Sequence, residues 1–267
     1  MRFPFNSKVF EDLVMKLNFK KVGQGQPLVI LHGLFGSADN WLSIAKELEN
    51  DFTMYLVDQR NHGDSPKSDD WDYKAMVDDL AAFLTSQGLE SAHIMGHSMG
   101  GKTAMNFALK YPNKVKKLII ADIAPRYYPP HHQSILEGLN AIDLDSLKSR
   151  KEAEEILSEH IPEIGIRQFL MKSLGRDDHR KFTWKINLPV ITEKIENVGE
   201  ALHGNNSFNG PTLFMRGASS DYIKESDKPD LEKYFPEYKL ITIKNAGHWL
   251  HAEQPAAVVA TVKAFLN

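Results

Sequence analysis

Gly96-His97-Ser98-Met99-Gly100 sets a serine between glycines that lie two places away on either side. The compact run His93–Met95 precedes it as a candidate strand, and Thr103–Leu109 follows with a helical spacing of apolar residues. A serine on a tight strand-to-helix turn has a strained backbone that pushes Oγ clear of the main chain. The flanking positions must then be small, or side chains collide across the turn. The serine also sits at a helix N-terminus, whose partial positive charge favours a developing oxyanion. The bland alternative is an N-cap serine. The chemistry to expect is attack by Ser98 on an acyl carbon.

That chemistry needs an oxyanion hole, a base and an acid. Leu28–Leu31 reads as a buried strand running into His32-Gly33. The hole takes one backbone N–H from the residue after the nucleophile, Met99, and one from the loop after this earlier strand, where Leu34 is the natural donor. Eleven histidines compete for the base. His248 has the right position, in the loop Asn245-Ala246-Gly247-His248 after the last strand-like run, Leu240–Ile243. His251 is its nearest rival. His32 and His97 flank turns and read as structural hydrogen bonders, and His131-His132 has no ligand partners at useful spacing, so no metal site is expected. Two acids end strands: Asp122 after Leu118–Ala121, and Asp221 beyond Thr212–Met215. Topology permits either.

The elements that must hold these groups alternate along the chain. Thr53–Val57 completes the six strand-like runs. Helical patterns lie at Trp41–Leu48, Met76–Leu84 and Ala256–Leu266, with Pro255 at a first helical position. Apolar strands alternating with helices imply a parallel sheet covered on both faces. A hairpin across Lys16–Ile30, turning at Gly23–Gly25, is expected to add antiparallel edge strands. Gly23-Gln24-Gly25 precedes its strand and lacks a third glycine, so it reads as a turn and not as a phosphate loop. Residues 125–208 contain no strand signal. They read as helices, such as Arg150–Glu159 and Ile164–Leu174, inserted as a cap over the C-terminal edge of the sheet, where such sheets bind ligands. The expected division is 1–124 with 209–267 as core and 125–208 as helical cap. Tyr127, Tyr128, Phe169 and Trp184 are candidates for an apolar lining, but for each one core packing is the favoured reading.

Composition narrows the class. With 267 residues, 42% hydrophobic and 25% charged, the chain is ordinary for a soluble globular protein. A net charge of −3 gives no reason to expect nucleic acid or an acidic membrane as partner. The absence of cysteine removes disulfides and a thiol nucleophile and fits a reducing, cytoplasmic setting. Residues 1–13 lack the apolar run of a signal peptide, and no run reaches the ~20 residues of a membrane span.

Together, His32-Gly33-Leu34, Asp58-Gln-Arg-Asn-His-Gly-Asp-Ser65, Gly96-His-Ser-Met-Gly-Gly101 and Asn245-Ala-Gly-His-Trp249 make the chain resemble the α/β-hydrolases over nearly its whole length. Within them it is most similar to the YbfF-type bacterial esterases, through Asp58–His62, Ala121-Asp-Ile-Ala-Pro-Arg126 and Gly247-His-Trp-Leu-His-Ala-Glu253. The resemblance implies a mostly parallel, twisted sheet flanked by helices. The wider superfamily places its acid three residues after the glycine ending the penultimate strand. Here that glycine is Gly217 and the third residue is Ser220, a departure from the pattern. In the YbfF-type proteins the acid follows the nucleophile-bearing unit instead, which maps onto Asp122, with Ser220 helping to hold the acid–base pair.

The resemblance implies a carboxylesterase acting on small to medium acyl esters, needing no cofactor and taking a small-molecule substrate. An acyl-CoA thioesterase or a carbon–carbon bond hydrolase would use the same triad. A ligand-binding protein that keeps the fold without turnover is the alternative from another class. The acid is decided by comparing Asp122→Asn with Asp221→Asn: the first should lower kcat by about 10³–10⁴-fold and the second leave it nearly intact. Loss confined to the Asp221 variant would reverse the assignment.

Overall fold

Strands β1 (Phe19–Gly23), β2 (Gln26–Leu31), β3 (Phe52–Val57), β4 (Ala92–His97), β5 (Val115–Ala121), β8 (Thr212–Gly217) and β9 (Tyr238–Ile243) form a seven-stranded sheet, and β6 (Leu174–Arg176) and β7 (Phe182–Trp184) form a separate hairpin. The computed structural model describes residues 15–267, so the N-terminal stretch read for a signal peptide lies outside the described residues. Strand order is β1-β3-β2-β4-β5-β8-β9. All pairs in this seven-stranded sheet are parallel except β1 with β3.

The apolar character of the strands follows from burial on two faces. In β2, Val29 and Leu31 point to one side, against residues of helices α2 (Tyr73–Ser86) and α3 (Met99–Lys110) such as Phe83 and Phe107. Leu28 and Ile30 point to the other, against Ile44 and Leu48 of α1 (Leu42–Leu48) and Val258 and Val262 of the C-terminal helix Pro255–Leu266. This two-residue alternation is what the pleat dictates. The last strand differs from its sequence reading. β9 is an edge strand, half-exposed, with Ile241 42% exposed.

The expected hairpin is also corrected. The chain does turn at Gly23–Gly25, both at positive φ. The two arms, however, do not pair: β3 inserts between them. The turn is pressed against the chain leading into β3, where a side chain at Gly23 would meet the Phe52 and Glu49 carbonyls at 2.4 and 2.5 Å. Backbone docking, which leaves no mark in apolar periodicity, thus sets the register of the edge.

Between β5 and β8 run α4 (Gln133–Asn140), α5 (Arg150–His160), α6 (Ile164–Met171) and α7 (Leu188–Glu193). The β6–β7 hairpin corrects the strand-free reading of this region and ends α6 before Leu174. Three-residue strands hold too little alternation to be read from sequence. Their turn is closed by Asp177, whose carboxylate accepts the His179 and Lys181 amides at 2.9 and 2.8 Å. Phe182 and Trp184 pack with Leu139, Leu157, Leu170 and Leu188 in a core that also takes in Leu34, Phe35 and Met99. The ends of this segment are tied together. Leu202 donates to the Pro125 carbonyl and Tyr128 to that of Gly199, each at 2.8 Å. Lys102 of α3, fully buried, donates to the carbonyls of Arg126, at 2.6 Å, and Glu200. Burial lowers its ammonium to about 7.

Loops at the C-terminal edge are anchored by charge. The Asp58 carboxylate accepts the Ala38 and Asp64 amides at 2.7 and 3.0 Å and the Asn18 side chain at 2.8 Å. Arg60 grips Asp79 of α2 with two bonds, 2.6 and 2.8 Å, and the Asp70 carbonyl with a third, 2.7 Å. Both partners are buried. Asp79→Ala would leave the guanidinium without its counter-ion and should cost about 3–5 kcal/mol, read as a lowered urea midpoint. A loss under about 1 kcal/mol would mean the pair is not buried in solution.

Candidate active site

Parallel pairing brings the carboxyl ends of β2, β4, β5, β8 and β9 to one edge, so Gly33–Phe35, Ser98, Asp122, Ser220 and His248 converge although they are far apart in sequence. Three of the turns bend through the left-handed region: Phe35 at φ 61°, Ser98 at φ 54° and Asp122 at φ 52°. For non-glycine residues this is strained backbone, costing on the order of 1–3 kcal/mol each. At Ser98 the strain is made possible by its glycines. A Cβ on Gly96 would lie 2.1 Å from the Gly100 carbonyl oxygen, and one on Gly100 would lie 2.4 Å from that of Leu31. Gly33 brings the neighbouring loop against the serine, leaving 3.3 Å between a hypothetical Cβ there and Ser98 Cβ.

Asp122 has no exposed surface, and three segments supply its donors. The Gly217 amide donates to Oδ1 at 2.9 Å. The Ser220 hydroxyl donates to Oδ2, and His248 Nδ1 lies 2.8 Å from the same oxygen. A buried carboxylate is stable only when so surrounded. It fixes the proton on Nδ1 and leaves the Nε2 lone pair free. Asp221, by contrast, is exposed, and its carbonyl accepts from Arg126 at 3.3 Å. The structure thus brings Asp122 and Ser220, and not Asp221, to the imidazole.

Ser98 and His248 line one cavity of 410 Å³, together with Leu34, Ile135, Ile166 and Phe169. Neither Ser98 Oγ nor His248 Nε2 hydrogen-bonds to protein among the described residues, and such bonds tighten when substrate binds. The Leu34 and Met99 amides likewise have no acceptor in the hydrogen-bonded loops. Of the aromatic lining candidates, Phe169 faces this cavity. Trp184 is buried in the core beside it, Tyr127 is half-exposed, and Tyr128 borders only a small neighbouring pocket. Among the described residues no cluster of histidine, aspartate and glutamate is arranged to hold a metal ion, and no helix is long and apolar enough to cross a membrane.

The remaining histidines have structural work. His32 Nε2 accepts the Gln59 amide at 3.0 Å, so its proton lies on Nδ1, which donates to the Gly33 carbonyl at 2.8 Å. His62 repeats the pattern, accepting the Phe35 amide at 3.2 Å and donating to the Arg60 carbonyl at 3.0 Å. Together they fix the loop that carries Leu34. His97 donates through Nε2 to the His248 carbonyl at 2.8 Å. His251, the rival base, is stacked flat on Trp41, centroids 4.4 Å apart. Sequence reasoning missed His62, although it lies inside the Asp58–Ser65 block. It also missed His132 in the cavity wall and Tyr222 against His248, which no spacing signals.

Burial holds several of these rings neutral. It lowers His62 and His251 to about 3 from 6.5. The unfolded chain protonates each near 6.5, while the folded chain resists until about 3. Between those values the unfolded state binds more protons, so acid favours unfolding by on the order of 1 kcal/mol per pH unit for each ring. Stability should therefore fall steadily as pH drops below about 6.5. His251→Phe, which keeps the stack on Trp41, should flatten that slope. An unaltered slope would show that this ring is not held neutral.

Comparison with known proteins places the fold. A family model described as the alpha/beta hydrolase fold matches residues 26–151. Esterase YbfF of Escherichia coli (strain K12) is 36% identical over 95% of this chain and 100% of its own length. The sn-1-specific diacylglycerol lipase ABHD11 of Mus musculus is 37% identical over 90% of this chain and 80% of its own length. A solved marine microorganism esterase superimposes with a TM-score of 0.92 at 47% identity, over 94% of this chain and 99% of that one. With similarity spanning almost all of both chains and the same sheet beneath it, the protein belongs to the α/β-hydrolase family.

Proposed function

We propose that the chain is a serine carboxylesterase of small to medium acyl esters. Ser98 is the nucleophile, His248 the general base and Asp122 its acid partner, with Ser220 supporting the pair and the Leu34 and Met99 amides forming the oxyanion hole. The observation that carries the reading is the bonded line Ser220–Asp122–His248, which ends at a cavity that Ser98 also lines. At 410 Å³ that cavity falls in the range of roughly 300–1,000 Å³ usual for small-molecule sites.

His248 Nε2 takes the Ser98 proton as Oγ attacks the ester carbon. The carbonyl oxygen becomes an oxyanion facing the two amides, each worth about 3–4 kcal/mol in the transition state. Collapse breaks the bond to the alkoxy oxygen, which leaves as alcohol with the proton from Nε2. Water then gives a proton to Nε2 as its oxygen attacks the acyl carbon, and collapse breaks the bond to Oγ, which takes that proton back from Nε2 and frees the carboxylic acid. The reaction as written needs no cofactor. In this reading residues 125–208 are the cap that shapes the substrate pocket, and 1–124 with 209–267 the core that carries the chemistry. The names of the relatives, an esterase and a diacylglycerol lipase, support an oxygen ester over other acyl donors. A cytoplasmic location rests on the cysteine-free composition.

A panel of p-nitrophenyl esters and acyl thioesters graded by chain length tests this. The wild type should turn over short and medium esters fastest, and a fluorophosphonate should label Ser98. Ser98→Ala should lower kcat by ~10⁴-fold or more without loss of folding. Near-normal turnover in that variant would remove the mechanism. No turnover by the wild type at any chain length would point to a binding protein.

A further inference from the structure

A single hydrogen bond fixes where the His248 N–H points, but the ring can still swivel about the Nδ1···Oδ2 line. Tyr222 blocks that rotation. Its ring lies face to face with the imidazole, centroids 3.8 Å apart and planes 16° from parallel. Tyr222 is itself held at several points. Its hydroxyl donates to His131 Nε2 at 2.6 Å, since His131 Nδ1 donates to the Pro129 carbonyl. Its amide donates to Ser220 Oγ at 3.2 Å, and its carbonyl accepts the Tyr128 hydroxyl. It also stacks on Tyr128, centroids 5.4 Å apart, and the Arg126 guanidinium lies 3.9 Å from the Tyr128 ring centre.

We propose that Tyr222 is a positioning residue for the acid–base step: its ring face holds the imidazole with Nε2 free for Ser98, and stabilises the imidazolium once the serine proton arrives. This rests on the Ser98–His248 chemistry proposed above. The face of an aromatic ring is electron-rich and attracts a cation. Because the imidazolium forms only as Oγ attacks, the attraction lowers the barrier without tightening substrate binding. The charges around His248 suit this role. Asp122 at the end of β5 faces Nδ1. His97 from β4, His132 ahead of α4 and His251 from the short helix Leu250–Glu253 also approach, and burial lowers all three: His97 well below its usual value, His132 to about 4 and His251 to about 3. They add no competing positive charge near neutral pH. Tyr222 itself is pushed up to about 12, chiefly by burial, and so presents a neutral phenol.

Two substitutions separate the ring face from the hydroxyl and from packing. Tyr222→Leu fills much of the space and keeps water off the imidazole, but removes the aromatic face. It should lower kcat ~10-fold or more with KM changed by less than ~3-fold. It should also move the acid limb of the kcat/KM profile and the imidazole NMR titration curve to lower pH. Tyr222→Phe keeps the face and loses only the His131 bond, so it should recover kcat to within ~3-fold of wild type and restore the titration. A packing role alone would lower the melting temperature and leave the titration in place. Wild-type kcat and titration in the Leu variant, or an equal loss in the Phe variant, would overturn the proposal. A wild type without ester turnover would instead defeat the esterase reading, while the NMR titration would still report on the stack.

Discussion

A carboxylate removed entirely from water must be met by donors on every side, and the site is arranged around meeting that demand for Asp122. The donors come from the end of β8, the loop beyond it and the loop after β9. Each lies about a hundred residues or more from Asp122 in the chain, so only a sheet that ends all these strands on one edge can assemble them. The charge explains the tautomer of His248, and the tautomer explains why Nε2 is left unpaired. Ser220, beyond the end of β8, donates its hydroxyl to Asp122 at the end of the neighbouring β5.

The serine depends on a second constraint, which is steric. Its strained backbone persists because the surroundings leave no relaxed alternative: Gly96 is pressed on Gly100, Gly100 on the end of β2, and Gly33 on Ser98 itself. The loop Gly33–Phe35 is held in the same way, but by hydrogen bonds. His32 and His62 each accept a main-chain amide and donate to a carbonyl, a pairing that works only for the neutral ring. Burial keeps them neutral, so the electrostatics that orient the loop also tie its integrity to pH.

The segment between β5 and β8 is bound to the site more closely than an appended cover would be. Its two ends are joined by backbone bonds and by Lys102, which springs from the helix that starts after Ser98. Its first loop carries His131, bonded to the tyrosine that stacks on His248. Its apolar core includes Leu34 and Met99, which flank Gly33 and Ser98. This segment is therefore tied both to the ring beside His248 and to the loop Gly33–Phe35.

The tight glycine-flanked turn at Ser98, the loop position of His248 after the last strand, and the runs that form the central strands were legible in the sequence. Steric rules and period-two burial act over a few residues and leave local marks, as in Gly96-His-Ser-Met-Gly100 and the run Leu28–Leu31. Asp122 and Asp221 both ended strands, and local rules could not separate them. Resemblance favoured the first, but the contacts that surround it are long-range. Tertiary structure alone decided that β3 would part the expected hairpin, that three-residue strands would form at Leu174–Arg176 and Phe182–Trp184, and that Tyr222 would meet His248 face to face. Each depends on which surfaces meet across distant parts of the chain, and pairing, burial of a charge and ring stacking are set by the partner that arrives and not by neighbours in sequence.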